Sequence, residues 1–544
     1  MFYLFPIMIT LPLSLSILSL AAAFSSAASL QVRENHDCAL IQPPQVPGAE
    51  VLSVIGVLRQ VEVAPFPPSP SKPNTTIEIC SVNVTLSHMG VNDKVVVSVW
   101  LPLPDKWNGR FQATGGGGWA AGTFDLLMGP AALEGYSTAG TDAGVTVDAG
   151  SADKWALKED GTVNYDLLEN FASRSIHDMA IVGKAVTESY YKKPANYSYF
   201  YGCSNGGRQG MVEAQKYPDD FDGILAGAPA TYWPRWLTST EWPQVVMQSE
   251  KVFPSQCVFE AFRKAGIAAC DKLDGVEDGV VSNLDDCEFN PFALVGKKVK
   301  CGGESTTITL AQAWVAKKIY DGPKSTAKRV LWDVLPVGAY YDGLANSTIE
   351  NGVPKIAPWV ICSSWIRSFL KKDLNFDLST ITYADMPKLF QQSIDEFDKI
   401  LGGSNPDLSA LKKSGTKLLS WHGLADELIH PQNSVKYRQA VEHRMGGGSE
   451  VDKYYRLFLA PGVTHCGIGV NDGAAPVDTL KVLERWVEKG EAPDTMPAIA
   501  TDASGATTIF TRNLCRYPLV PRYKGGDKNS ADSFECAKDF GSHH

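Results

Sequence analysis

An apolar β-forming run, Tyr199-Phe200-Tyr201, ends in Gly202-Cys203-Ser204-Asn205-Gly206 and passes at once into Gly207-Arg208-Gln209-Gly210-Met211-Val212-Glu213-Ala214, which reads as a helix. Strand, sharp turn and helix in that order form the context of a nucleophile elbow, in which a serine stands on a strained corner at the end of a sheet strand. The flanking glycines fit because a Cβ beside the turn would crowd it. Ser204 is therefore the candidate nucleophile. In a chain with 48 glycines the pentapeptide alone is a weak signal, and an ordinary serine in a glycine-rich turn is the plainer explanation. The elements on either side favour the elbow, and two residues far downstream complete it.

Around the elbow, strand and helix patterns alternate. β-type runs at 51–58, 77–86 and 94–101, broken by a proline-rich stretch from Pro65 to Pro73, read as edge strands ahead of a larger sheet. Gly115-Gly116-Gly117-Gly118-Trp119 is a loop able to present amide N–H groups to a ligand. Residues 136–142 read as a strand, 173–191 as a helix with Ile176, Met179, Ala180, Val182 and Val186 on its apolar side, and 222–227 as a short buried strand. Together these describe half of a parallel α/β sheet. From 231 to 405 the pattern breaks into an irregular stretch with Trp233, Trp236, Trp242, Trp314, Trp332, Trp359 and Trp365, read as an inserted lid domain. Alternation resumes with a strand at 417–421, a helix at 433–443, a strand at 454–459 and a helix at 477–488, before a cysteine-bearing tail at 511–536. The expected division is a signal peptide over 1–28, a catalytic domain from 29–230 and 406–544, and a lid over 231–405.

The N-terminal segment has a long apolar run from Leu4 to Ala23 and small residues at Ser26-Ala27-Ala28, the pattern of a secretory signal cleaved near Ala23 or Ala28. A membrane anchor is the competing reading, and no later stretch is apolar enough to span a bilayer. A net charge of −10 with no basic run argues against nucleic acid or anionic lipid as partner. All eleven cysteines follow the signal, so an oxidising compartment makes most of them disulfide candidates. Sequons at Asn74, Asn83, Asn196 and Asn346 fit secretion with glycosylation.

Serine needs a base, and the base needs a carboxylate that fixes its tautomer. Of nine histidines, His465 lies in Gly462-Val463-Thr464-His465-Cys466-Gly467, a loop directly after a strand, where an α/β-hydrolase places its base. Asp426 follows an earlier strand in Trp421-His422-Gly423-Leu424-Ala425-Asp426-Glu427. The order Ser204, Asp426, His465 is that of the α/β-hydrolases. Glu427, His422 and His430 are nearby competitors for the supporting roles. Because Cys203 precedes the nucleophile and Cys466 follows the base, a Cys203–Cys466 bridge would draw the two loops together. Closing roughly 260 residues would stabilise the fold by about 5–6 kcal/mol on the chain-entropy model, an upper figure.

Cys-Ser, then Asp, then His-Cys resembles the signature of the tannase and feruloyl esterase family. Trp107-Asn108-Gly109-Arg110-Phe111, Gly223-Ile224-Leu225-Ala226-Gly227-Ala228-Pro229 and Trp486-Val487-Glu488-Lys489-Gly490-Glu491-Ala492-Pro493 extend the likeness over nearly all of the chain after the signal. The resemblance implies a secreted enzyme with an α/β-hydrolase core and a large lid, cleaving esters of phenolic acids. It makes Ser204 the nucleophile, His465 the general base and acid, and Asp426 its partner, with the amides of Gly118 and Asn205 as oxyanion hole. The glycine loop and the residue after the serine suit that role on their own chemistry, with Gly116 to Gly118 all eligible.

In the lid, Cys270-Asp271-Lys272-Leu273-Asp274-Gly275-Val276-Glu277-Asp278-Gly279-Val280 has the carboxylates and tight-turn glycines of a calcium loop, with spacing unlike an EF-hand. The resemblance assigns Asp271, Asp274 and Asp278 as carboxylate ligands and Val276 and Val280 as carbonyl ligands of a structural Ca2+. It further implies the disulfides Cys270–Cys287, Cys38–Cys80 and Cys515–Cys536, and Cys257–Cys301 is added by inference, leaving Cys362 free. Many relatives carry a short-range cysteine pair just after the calcium loop, where this chain keeps only Cys301.

The expected substrate is a feruloyl or related hydroxycinnamoyl ester, possibly linked to plant cell-wall polysaccharide. The lid tryptophans could stack on such a ring or form the lid's own core. Gallate ester hydrolysis is the alternative within the class, and a non-catalytic, calcium-bearing carbohydrate-binding protein the alternative outside it.

Overall fold

In a computed structural model of the chain, residues 37–538 are described apart from 67–72, 146 and 334, so the expected signal segment lies outside the described residues. Nine strands make one mixed sheet: β1 (Ala49–Val63), β2 (Thr75–His88), β3 (Val95–Pro102), β4 (Arg110–Thr114), β5 (Ser137–Thr141), β6 (Tyr197–Cys203), β7 (Gly223–Gly227), β8 (Lys417–Gly423) and β9 (Tyr455–Ala460). Their spatial order is β1-β2-β3-β5-β4-β6-β7-β8-β9. The first three strands and β5 pair antiparallel, and everything from β5 onward is parallel. The expected parallel α/β sheet is there, with the elbow strand β6 near the middle of its parallel part, and the early strands extend it on one side as antiparallel neighbours.

Parallel strands need helices on both faces, which is why β7, Gly-Ile-Leu-Ala-Gly, reads as a continuous apolar run. On one face, the helix Ser175–Tyr191 buries Ile176, Met179, Ala180, Val182 and Val186 against Val82, Val84, Val97 and Val99. On the other, the helix Thr479–Lys489 sets Val482, Leu483 and Trp486 against Tyr199, Leu225 and Leu419. Two of the family-like motifs meet here: Arg110 on β4 donates to both oxygens of Glu488, at 2.7 and 2.8 Å, and Tyr199 donates to the same carboxylate at 2.8 Å.

Residues 110–114 carry no strand signal of their own, yet β4 sits between β5 and β6. Five residues buried by neighbours on both sides need little intrinsic propensity. The tail is also more regular than its sequence pattern: Thr508–Cys515 completes a three-stranded sheet with Ala475–Pro476 and Thr495–Thr501, and Val520–Tyr523 pairs with Phe534–Ala537.

The segment 231–405 is largely helical rather than irregular, with helices Trp233–Ser239, Trp242–Glu250, Gln256–Cys270, Leu310–Asp321 and Met386–Leu401. Trp233–Ser239 and Trp242–Glu250 are short and buried on nearly every side, so they lack a one-sided stripe, whereas Met386–Leu401 buries Met386, Leu389, Phe390, Phe397 and Leu401 along one. Trp233, Trp236, Trp242 and Trp365 are buried in a core that also takes in Trp119, Trp155 and Phe171 from outside the segment. These tryptophans are core, not a free platform for a substrate ring. Among the described residues no helix is long and apolar enough to cross a membrane.

All five expected disulfides are present: Cys38–Cys80, Cys203–Cys466, Cys257–Cys301, Cys270–Cys287 and Cys515–Cys536, with Cys362 buried and free.

Candidate active site

Ser204 joins β6 to the helix Asn205–Lys216 with φ 65° and ψ −124°, a conformation that L residues rarely adopt. Its neighbours explain the two glycines: a Cβ on Gly202 would lie 2.5 Å from the backbone of Gly206, and one on Gly206 would lie 2.9 Å from the carbonyl of Gly116. The turn is tied down by Ser204 N–H donating to Gly227 at 3.1 Å and by Arg208 and Ala230 N–H groups donating to the Ser204 carbonyl.

Asp426 and His465 follow β8 and β9. The Nδ1 of His465 lies 2.9 Å from Asp426 Oδ2, and the same carboxylate accepts from the amides of Leu428 and Ile429 at 3.0 and 2.8 Å. Burial opposes ionisation of Asp426, but the His465 charge and the hydrogen bonds from His422 and His465 overcome it, so the carboxyl stays well below the usual carboxylate range. In His465 burial lowers the pKa, and the Asp426 carboxylate, with Glu427 adding, raises it to a net value above the ordinary one for imidazole. With Asp426 buried and His465 half-buried over it, the pair has the electrostatics of a base with its orienting acid.

The bridge Cys203–Cys466 brings the residues next to Ser204 and His465 to a Cα–Cα distance of 6.0 Å. Cys466 itself sits at φ 57°, so both cysteine-bearing corners are tightly turned. Among the described residues no hydrogen bond joins Ser204 Oγ to His465, and Nε2 lies 3.7 Å from Cys466 Sγ. Such bonds are often long before substrate is bound.

The competitors near Asp426 have other duties. His422 reaches Asp426 Oδ2 with Nε2 at 3.2 Å, and its ring is held by Ser434 and the Ile429 carbonyl. Glu427 accepts from the backbone N–H of His465 at 3.2 Å. His430 is buried, and burial pushes it down to about 4.

The glycine loop lies against the elbow helix. Gly116 N–H is committed to Gln209 Oε1 at 2.9 Å, which removes it from the candidate oxyanion donors. Among the described residues no hydrogen bond uses the amide of Gly118, which sits at φ 53°. Asn205 opens the helix, so its N–H has no partner one turn back, while its side chain donates to Ala120 and accepts from Arg208. Gln209, four residues past Asn205, has no marker in the sequence that would single it out.

Asp271–Asp274 forms a short turn ended by Gly275 at φ 95°, Cys270–Cys287 closes the loop, and Val280 at its end shares a cavity with Gly462 at the stem of the His465 loop. Asp274, Asp278 and Val280 line one small cavity with Ser282 and Arg512. Burial raises both carboxyls, Asp274 to about 6, with each other's charge adding in Asp274. Asp278 Oδ1 is buried without a hydrogen-bond partner, while Oδ2 accepts from Arg512 at 2.6 Å. Asp271 accepts from the amides of Asp278 and Gly279. Among the described residues no three acidic, histidine or cysteine side chains gather around one point. Asp274 accepts from Ser282 and the Val276 amide, so the one buried carboxylate oxygen here without a partner among the described residues is Asp278 Oδ1, the kind of oxygen a hard cation takes. Of the sequons, Asn74, Asn83 and Asn196 are exposed, and Asn346 is half-buried with its amide bonded to Asp342 and Gln256.

The sequence profile described as "Tannase and feruloyl esterase" matches residues 80–537. A protein of Arthroderma benhamiae named "Probable feruloyl esterase" is 94% identical over 99% of this chain and all of its own length. Tannin acyl hydrolase from Aspergillus niger superposes with a TM-score of 0.82 at 27% identity, covering 91% of this chain and 93% of its own. Feruloyl esterase B from Aspergillus oryzae does so with 0.76 at 28%, covering 92% and 99%.

Proposed function

The chain belongs to the tannase and feruloyl esterase family, a family of carboxylic ester hydrolases, and from that premise we propose that it cleaves feruloyl or related hydroxycinnamoyl esters through an acyl-enzyme on Ser204. The observation that carries the mechanism is the strained Ser204 corner clipped by Cys203–Cys466 to the loop that holds His465 against Asp426.

Ser204 Oγ attacks the ester carbonyl carbon as its proton passes to His465 Nε2, and the tetrahedral oxyanion forms between the amides of Gly118 and Asn205. Asp426 keeps the imidazolium oriented and stable. His465 then gives the proton to the departing alcohol as the carbon–oxygen bond breaks. Water repeats the sequence on the acyl-enzyme, releasing the phenolic acid and restoring Ser204.

The cinnamate side rests on the 94% identity to the relative named for feruloyl ester cleavage. Gallate ester hydrolysis is the second reading, favoured by the likeness to tannin acyl hydrolase. Secretion, glycosylation and a polysaccharide-linked substrate belong to the same reading, with the cysteine pairing and the exposed sequons in support of the first two. The segment 231–405 would act as lid. Asp271, Asp274 and Asp278, with the carbonyls of Val276 and Val280, would hold a calcium ion whose contribution is to neutralise the buried carboxylates and stiffen the loop.

Initial rates on methyl ferulate, methyl caffeate, methyl p-coumarate and methyl gallate, with Ser204→Ala protein as blank, test the reading. Preference for the cinnamates supports it, preference for gallate moves the assignment to tannase, and silence on all four overturns the ester class.

A further inference from the structure

We infer that Gln209 is a positioning residue for the oxyanion hole, a side-chain clamp that fixes where the Gly118 amide points. The inference rests on the reading of Ser204 as nucleophile and Gly118 as oxyanion donor.

The loop from Gly115 to Ala121 doubles back on itself. Ala120 N–H donates to the Gly117 carbonyl at 3.0 Å, and a Cβ on Gly116 would lie 2.0 Å from the Ala120 carbonyl. Gly118 and Trp119 are thus the tip of a tight reversal whose legs Gly117 and Ala120 bridge. Gln209 spans its two legs from below: Oε1 accepts from Gly116 N–H at 2.9 Å, and Nε2 donates to the Ala121 carbonyl at 3.0 Å. The partners fix which end of the amide is which, since one leg offers a donor and the other an acceptor. Gln209 is 1% exposed, so water cannot replace either bond.

The clamp is mounted on the elbow helix itself. Asn205 Nδ2 adds a tie to the Ala120 carbonyl at 3.2 Å, and its Oδ1 is held by Arg208 Nε at 3.0 Å. Arg208 is in turn anchored on the Phe171 and Ala172 carbonyls. Both proposed oxyanion amides therefore belong to one rigid unit: Asn205 is in the helix, and Gly118 is at the tip of a loop bonded to that helix. Preorganised donors stabilise charge only if they hold their aim when it develops. A carboxamide meets this need where a carboxylate does not, because glutamate would set an oxygen against the Ala121 carbonyl.

The test compares full-length wild type with Gln209→Met and Gln209→Glu. End-point titration with a p-nitrophenyl alkylphosphonate counts competent Ser204 sites, and all constants are expressed per titrated site. The inference expects kcat on methyl ferulate to fall by about 10- to 100-fold in both variants, with KM and the inhibition constant of ferulate within about two-fold of wild type. Affinity for an arylboronic acid, whose tetrahedral adduct places an oxygen in the oxyanion hole, should fall by the factor lost in kcat/KM. Unchanged kcat per site, or boronate and ferulate affinities falling together, would overturn it. So would failure of both variants to give titratable enzyme, since the amide would then hold the fold rather than the loop's aim. A wild type that turns over without labelling at Ser204 would instead overturn the reading beneath.

Discussion

Asp426 Oδ2 accepts from Nδ1 of His465 at 2.9 Å, inside a carboxylate that two backbone amides and His422 also hold. The bond does two things: it fixes the tautomer that leaves Nε2 free as base, and its charge lifts the imidazole pKa against burial. The base works only when neutral, so kcat/KM should be lost as pH falls through a value above the ordinary imidazole pKa. In Asp426→Asn the larger part of the upward pull is gone, Glu427 alone keeping a share, and the downward pull of burial stays, so the acid limb should move to lower pH while kcat drops by roughly 10⁴. A pH–rate profile of both proteins checks this, and an acid limb that stays in place would contradict it.

The Cys203–Cys466 bridge should matter to chemistry as well as to stability. The double substitution Cys203→Ser/Cys466→Ser should destabilise the protein by about 2–5 kcal/mol and also cut kcat well below the new melting temperature, because the two loops lose their common anchor. Cys515→Ser/Cys536→Ser, in the tail, should lower the melting temperature and leave kcat per folded molecule unchanged. Thermal melts paired with initial rates distinguish the two.

Two adjacent glycines should respond differently. A Cβ on Gly118 would lie 2.1 Å from the Ala149 carbonyl at a positive φ, whereas one on Gly117 meets nothing within 4 Å. Gly118→Ala should therefore lose about 10²-fold or more in kcat. Gly117→Ala should keep the wild-type melting temperature. Equal effects on melting would show that the loop tip is not held as described.

Much of this was legible in the sequence, and what was not has a physical reason. Ser204, Asp426 and His465 stand at strand ends in a fixed chain order, and their cysteine neighbours mark the corner that joins them. The helix 175–191 declared itself by its period, and all five of its apolar positions face the core. By contrast β4 holds only five residues and owes its place to partners on either side. In 231–405 the short helices Trp233–Ser239 and Trp242–Glu250 hide because they bury nearly every face, while Met386–Leu401 carries a regular apolar stripe. Gln209 was invisible because its partners are backbone atoms of a loop some ninety residues earlier, and backbone leaves no mark in a sequence. The acidic loop announced its composition, but not that Arg512 takes one oxygen of Asp278.

Chelation tests the calcium proposal. Removing the ion should expose the repulsion between the buried Asp274 and Asp278 and lower the melting temperature, with calcium restoring it. Asp274→Ala should abolish the calcium response. A melting temperature indifferent to chelator, in protein shown by metal analysis to start with calcium, would contradict a stabilising role.

The most direct test of the central claim is to trap the acyl-enzyme. Acid quench during turnover of methyl ferulate, followed by peptide mapping, should find a feruloyl group on the peptide bearing Ser204, and neither adduct nor turnover in Ser204→Ala. A feruloyl group on another residue, or turnover persisting in Ser204→Ala, would contradict the account.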